Sequence, residues 1–412
     1  MDKIKLDKIK RQVDASIEDM IKLQIALTAI PALAPENGGN GEFEKAEYLT
    51  NYLYRLGFSD VRNFSAPDNR VASGCRPNLI ATVTGKNPQR TIWILTHLDI
   101  VPPGEIALWN KEPYQGYVEN GRFYGRGAED NQQDLVSSLF AAKAFLDEAI
   151  QPENTIGLAF VADEETGSKY GLNYLLETHG DLFRKTDLIV VPDAGTEDGT
   201  KIEVAEKSML WLRFKTSGKQ CHASMPALGK NAFAAASHLV VRLSELRNIF
   251  DAVDSIFIPS SSTFEPTRKD ANVPNINTIP GEDVFFLDCR ILPCYALSTV
   301  LAEIRKMADE IENRFAVSIE ISPVQQVEAP PPTPADAPVV LALKEAIKDI
   351  YGAEASPMGI GGGTVAAVFR KFGYPAAVWS RVGARAHQPN EYCLLENMIG
   401  NAKVYAHLFL QI

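Results

Sequence analysis

Residues 93–105 read WILTHLDIVPPGE. Trp93, Ile94 and Leu95 continue an apolar run from Ile92, as in a strand buried on both faces; His97 and Asp99 follow, and two prolines and a glycine end the segment. Strand side chains alternate between faces, so His97 and Asp99 share one. A buried strand that leaves the core on an imidazole and a carboxylate asks what other polar groups meet it there.

Further apolar segments match it: NLIATVTG (78–85), TIGLAFVAD (155–163) and DLIVVPDAG (187–195), with a helix, QQDLVSSLFAAKAFLDEAI (132–150), between the strand that ends at His97 and TIGLAFVAD. Ahead of them, Val13, Ile17, Met20, Ile21 and Ile25 recur at helical spacing, and a second helix spans about Phe43 to Leu56. Continuous apolar strands alternating with helices predict an α/β sheet sandwiched by helices. From about residue 207 the order becomes strand, helix, two strands (around 256–265 and 284–291), helix, strand, which is the ferredoxin-like β-α-β-β-α-β arrangement. The linker EAPPPTPADAP (328–338) closes that region, and α/β character returns with helices at 337–351 and 394–410 around the strand PAAVWS. The expected organisation is an α/β domain over 1–205 and 327–412, interrupted by an inserted α+β domain over 206–326.

The chain has 412 residues, 45% hydrophobic and 23% charged, with a net charge of -11. That balance argues against binding nucleic acid or an anionic membrane. No apolar run approaches the roughly 18 residues of a membrane span. The charged start MDKIKLDKIKRQVD lacks a signal-peptide core, and the five cysteines are odd in number and scattered. These features lead us to expect a cytoplasmic protein.

Open α/β sheets present ligand-binding residues at the carboxyl ends of their strands. There the sequence puts His97 and Asp99, the pair Glu164 and Glu165, and Asp193; GRGAEDN sets Asp130 at a helix start, and RVGARAHQPNEY sets His387 in a late loop. Singly, an acid at a strand exit is most often a cap or turn, and His179, His238 and His407 fall on or beside helices, where packing explains them. Two histidines and this group of carboxylates at one sheet edge suit a pair of divalent metals instead. Asp99 shares a face with His97 and could orient its second ring nitrogen. Of the neighbours Glu164 and Glu165, one could ligate and the other act as base. Cys221 beside His222 lacks an orienting third group for thiol catalysis. The glycines at 361–363 are not followed by the GK[ST] of a phosphate loop. A catalytically silent binding protein would be expected to have lost one of these side chains.

THLDIVP, GRGAEDN, ADEETGS, VPDAGT and AHQPNEY, in this order, resemble the co-catalytic zinc amidohydrolase and exopeptidase family, which includes succinyl-diaminopimelate desuccinylase, acetylornithine deacetylase, aminoacylase, carboxypeptidase G and several dipeptidases. The resemblance covers nearly the whole chain. It implies that His97 and Asp193 hold one metal, Glu165 and His387 the other, and that Asp130 bridges them through a cis peptide bond to Asn131. It makes Asp99 the orienter of His97 and Glu164 the general base. In the inserted domain, which acts as a lid and dimerisation domain in the family, it implies that His222 polarises the scissile carbonyl and that Asn277 and Arg290 contact substrate. Gly362, Gly363 and Thr364, in GIGGGTVAAVF, would receive a substrate carboxylate.

The implied cofactors are two divalent ions, zinc foremost, with cobalt or manganese as alternatives. The implied activity is hydrolysis of a small N-acyl amino acid, or else of a dipeptide or of a peptide from its carboxyl end. The implied assembly is a homodimer in which His222 and Asn277 serve the partner's site. Two positions depart from the family pattern: Asn131, Gln132 and Gln133 stand where many members have Met-Lys-Gly, and Ala223 follows His222 where serine is usual.

Overall fold

A computed structural model describes residues 2–411. It divides into a larger unit, Met1–Val204 with Thr333–Pro357 and Thr364–Ile412, and a smaller one, Ala205–Pro332 with Met358–Gly363.

The larger unit is built on an eight-stranded mixed sheet. Its strands follow the order Asp60–Asn63, Leu79–Val83, Asn154–Val161, Asn87–His97, Leu188–Thr196, Ala376–Arg381, Lys201–Glu206 and Ser356–Ile360. The four middle strands, from Asn154–Val161 to Ala376–Arg381, run parallel, so their carboxyl ends come out along one edge. Trp93 and Leu95 pack on one face with Leu172, Leu175, Phe369 and Val378, and the whole cluster is buried. Burial of that kind is what fixes register where strands carry apolar side chains on both faces. The helix Gln133–Asp147 is buried along nearly all its length and packs against the helix Leu395–Phe409.

One expectation needs revision. The first apolar periodicity belongs to two helices, Lys3–Ala15 and Ile17–Thr28, which meet at Ser16, whose hydroxyl donates to the Gln12 carbonyl. The buried stripe is Leu6, Ile9 and Val13, then Met20, Leu23 and Leu27, while Ile25 is exposed. With buried Ser16 these positions keep one spacing of threes and fours across both helices; Val13 and Met20 of the expected set lie on that stripe, while Ile17, Ile21 and Ile25 lie off it.

The smaller unit has a four-stranded antiparallel sheet, ordered Thr263–Lys269, Glu282–Ile291, Ser208–Ser217, Ser318–Val327. In chain order that is second, third, first, fourth, the ferredoxin-like topology. The helices Ala232–Leu243 and Leu297–Phe315 contribute Leu239, Leu243, Val300 and Ile304 to a core with Leu210, Leu212 and Phe285. No helix among the described residues is long and apolar enough to cross a membrane.

Beside the parallel strands, Arg370 makes a buried bidentate pair with Glu203, at 2.8 and 3.1 Å. Breaking a buried, hydrogen-bonded ion pair of this kind by removing one partner costs about 3–5 kcal/mol. Arg370→Met should therefore lower unfolding stability by about that amount in chemical denaturation. The double variant Arg370→Met with Glu203→Leu should recover most of the loss.

Candidate metal centre

The strand Asn87–His97 ends with the His97 ring turned into the sheet edge, buried. Its Nδ1 lies 2.9 Å from the Asp99 carbonyl oxygen, and its Nε2 lies 3.0 Å from Asp130 Oδ1 and 3.5 Å from Asp193 Oδ1. The orienting contact expected from the Asp99 carboxylate is therefore made by that residue's main chain, with the carboxylate 3.6 Å from Nδ1. The Asp99 carboxylate instead accepts from the N–H groups of Glu164 and Glu165, at 3.1 and 3.0 Å, and so sets the turn that displays both glutamates.

Asp130 is joined to Asn131 by a cis peptide bond. Its Oδ2 lies 3.1 Å from His387 Nε2, while its Oδ1 faces His97. One carboxylate thus spans two imidazoles. His387 Nε2 is also 3.2 Å from Glu165 Oε2. Ligand-type atoms of His97, Asp130 and Glu165 all lie within 4.8 Å of one another, as do those of His97, Glu164 and Asp193.

The electrostatics follow from this crowding. Burial alone would lower the His97 pKa, but Asp130, Asp193 and Asp99 raise it well above the ordinary histidine value. Asp130, with Glu165 second, raises His387 to about 10. Burial and the charge of Asp193 push Glu164 well up, and burial raises Glu165. An Nδ1 that donates to a carbonyl leaves the Nε2 lone pair as the group that faces Asp130 and Asp193. Lone pair against carboxylate is repulsive unless a proton or a metal stands between. Imidazole nitrogens and carboxylate oxygens are the donors that zinc and similar divalent ions take, so the residues present fit such a centre.

Three neighbours with no role in the sequence reading support the set. Asn131 accepts from the His97 N–H at 3.2 Å, and its amide nitrogen lies 3.4 Å from Asp193 Oδ1. Glu129 and Glu391 are buried beside Asp130 and His387. All three lie inside the quoted motifs, but no spacing rule marks a residue that bonds to backbone.

The other histidines behave as packing predicts: His179 lies against Phe64, and His238 against Phe315. His407, with Glu345 and Asp349, forms a third group of ligand-type atoms. Its Nδ1 meets the Gln411 amide nitrogen, which also donates to the Ala342 carbonyl, and its Nε2 meets Asp349 at 3.1 Å. That pattern assigns the Nε2 proton to Asp349 and leaves no lone pair there for a metal.

In the smaller unit, His222 is exposed and its Nδ1 lies 2.7 Å from the Ser224 hydroxyl. Asn277 lies on the adjoining segment, where its main-chain carbonyl accepts from the Ala223 N–H at 2.8 Å. Arg290 pairs with Asp288 and donates to the Gly361 carbonyl at 2.9 Å. Thr364, next along the chain from Gly362 and Gly363, caps the Ala366 N–H at 3.3 Å. A cavity of about 740 Å³ near Arg90, Arg184 and Pro375 lies at the amino ends of the parallel strands, away from this chemistry. A smaller one of about 200 Å³ is lined by Asp130, Asp193, Gly195 and Ala386.

The profile of Peptidase family M20/M25/M40 matches residues 93–411. An uncharacterised metallohydrolase of Methanocaldococcus jannaschii is 40% identical over 404 residues, spanning 94% of this chain and 98% of that protein. The succinyl-diaminopimelate desuccinylase of Paracoccus denitrificans is 26% identical over 398 residues, spanning 95% of this chain and 98% of its own. Human carnosine dipeptidase 1 has the same fold, with a TM-score of 0.73 at 19% identity over 98% of each chain. A profile matched over most of the length, together with a 40% identical relative aligned nearly end to end, makes this chain a metallohydrolase of Peptidase family M20/M25/M40.

Proposed function

We propose that the protein hydrolyses the amide bond of a small N-acyl amino acid, in the manner of a succinyl-diaminopimelate desuccinylase or acetylornithine deacetylase, with zinc as its metal. The observation that carries this reading is the division of the two Asp130 oxygens between His97 and His387. It suits a carboxylate that would help to hold two divalent cations, one through each oxygen. His97 and Asp193 would hold one ion, and Glu165 and His387 the other. When bound, such ions supply Lewis acidity, lowering the pKa of a water toward about 7 and drawing charge from the scissile carbonyl.

The chain's own groups do the rest. Glu164 accepts the proton of the attacking water and delivers it to the amide nitrogen as the C–N bond breaks. Asp99 fixes the backbone of both glutamates. His222 would donate to the developing oxyanion, while Asn277 and Arg290 would contact the substrate. A Cβ at Gly361 or Gly362 would meet nothing within 4 Å, so packing does not require glycine there. An open glycine loop, with Gly362, Gly363 and Thr364, suits close approach of a substrate carboxylate to backbone N–H groups. Similarity to desuccinylases supports the N-acyl reading. A dipeptidase or carboxypeptidase is the second reading, as the dipeptidase structure shares the fold. A panel of N-acetyl- and N-succinyl-amino acids and dipeptides, assayed with zinc, cobalt or manganese, tests both; turnover of none of them would refute the proposal.

Roles divide by metal content. The wild type should carry up to two ions and lose activity to chelators, and His97→Ala should carry markedly less metal by elemental analysis. Glu164→Gln should keep its metal while kcat falls by roughly 10²–10⁴-fold. Glu165→Gln should lose metal first; the opposite pattern would exchange the two roles.

The small unit supplies the proposed partner surface. Its helix Ala232–Leu243 exposes Phe233 and Val241, and its edge strand Ser318–Val327 exposes Val324 and Val327. An isologous dimer would cover them. If His222 serves the partner's site, mixing inactive Glu164→Ala with inactive His222→Ala under subunit exchange should restore part of the activity. Proven exchange without recovery would mean that His222 acts within its own chain or not at all.

A further inference from the structure

Two buried carboxylates, Glu129 and Glu391, are each close in sequence to one proposed ligand and bonded to the backbone around the other. Glu129 directly precedes Asp130. Its Oε1 accepts from the Gly383 N–H, and its Oε2 accepts from the N–H groups of Arg385 and Ala386, the last at 3.1 Å. Those are the residues that lead into His387. Glu391 lies four residues after His387. Its Oε1 accepts from the N–H groups of Glu129 and Asp130 at 2.9 and 3.1 Å, and its Oε2 from Gly127 at 3.1 Å and Arg126 Nη1 at 2.6 Å. Arg126 also reaches the His387 carbonyl at 3.4 Å. Glu129 is 4% exposed and Glu391 1%, so neither is a solvated acid that happens to lie near an amide.

The His387 loop needs such a hold. Ala384, His387 and Asn390 have φ of 55°, 63° and 57°, the left-handed region that residues with a Cβ seldom adopt. Such a conformation persists only where surrounding contacts impose it. Gly383 makes room for the hold, since a Cβ there would sit 3.2 Å from Glu129 Oε1.

The geometry points to a reciprocal carboxylate clasp: Glu129 and Glu391 are positioning residues that lock the Asp130 and His387 loops to each other and so set the spacing of the ion shared by Asp130, Glu165 and His387. Neither carboxylate is assigned to a metal. Each acts through the backbone, and each loop is held by the residue beside the other loop's ligand. This rests on the metal-centre reading above for its consequence, though not for its geometry.

The test uses full-length metal-free protein and the variants Glu129→Gln and Glu391→Gln. Glutamine keeps the size but replaces one acceptor oxygen with a donor, which faces backbone N–H groups already aimed at it. Amide hydrogen exchange should quicken at least ten-fold at Gly383, Arg385 and Ala386 in Glu129→Gln, and at Gly127, Glu129 and Asp130 in Glu391→Gln. Titration with Co²⁺ should show one of two binding steps weakened by roughly 10–100-fold in both variants, the range for loss of a group that orients a ligand. The other step, on His97 and Asp193 with the second Asp130 oxygen, should weaken several-fold less. Equal weakening of both steps, or exchange that quickens throughout the chain, would mean general destabilisation and overturn the clasp. Unchanged exchange at these amides would overturn it as well. If the wild type binds no Co²⁺, the metal-centre reading fails, while the exchange pattern still decides whether the clasp exists.

Discussion

Four carboxylates, those of Asp130, Glu164, Glu165 and Asp193, share one end of a sheet with two imidazoles, and their mutual repulsion governs what can surround them. Two like charges 4 Å apart repel by about 4 kcal/mol at an effective dielectric constant near 20. Among the described residues, the ion-pair partners of Asp130, Glu165 and Asp193 are histidines, with no lysine or arginine joining them. Protons or metal ions must supply the missing positive charge. A carboxylate cluster bare of fixed cations is what a protein builds when the cation is to come from outside.

The fixed cations stand one ring further out. Arg126 pairs with Glu391, and Arg76 pairs with Glu42 and lies 3.6 Å from both Asp68 and Asp163. Lys45 is buried, and among the described residues none makes a hydrogen bond to its ammonium group. Burial lowers its pKa to about 8, against the pull of Asp99 and Glu42. Positive charge placed here offsets the inner carboxylates without competing for their oxygens. The inner donors stay available, and the sheet edge still folds.

Much of this was legible in the sequence because the parallel strands impose it. His97, Glu164, Glu165 and Asp193 follow apolar runs whose burial on both faces leaves only the strand exits for polar groups. The smaller unit's topology was legible from the order of its elements. What escaped was whatever depends on backbone direction. The break at Ser16 has no breaker residue to announce it. The hold on His97 comes from a carbonyl, which every residue owns. Glu129 and Glu391 look like ordinary surface acids until the fold brings their loops together.

Asn131, Gln132 and Gln133 show how a departure from a family pattern is absorbed. Asn131 ties the His97 backbone to Asp193. Gln132 accepts from the Thr28 hydroxyl, and Gln133 donates to the Arg381 carbonyl at the exit of a neighbouring strand. Each amide makes at least one bond in the interior, although among the described residues Gln132 Nε2 and Gln133 Oε1 find no partner. Asn131 alone touches the proposed ligands; Gln132 and Gln133 fasten the start of the helix Gln133–Asp147 to its surroundings. A change at these positions therefore acts on how the ligands are held rather than on which ligands there are.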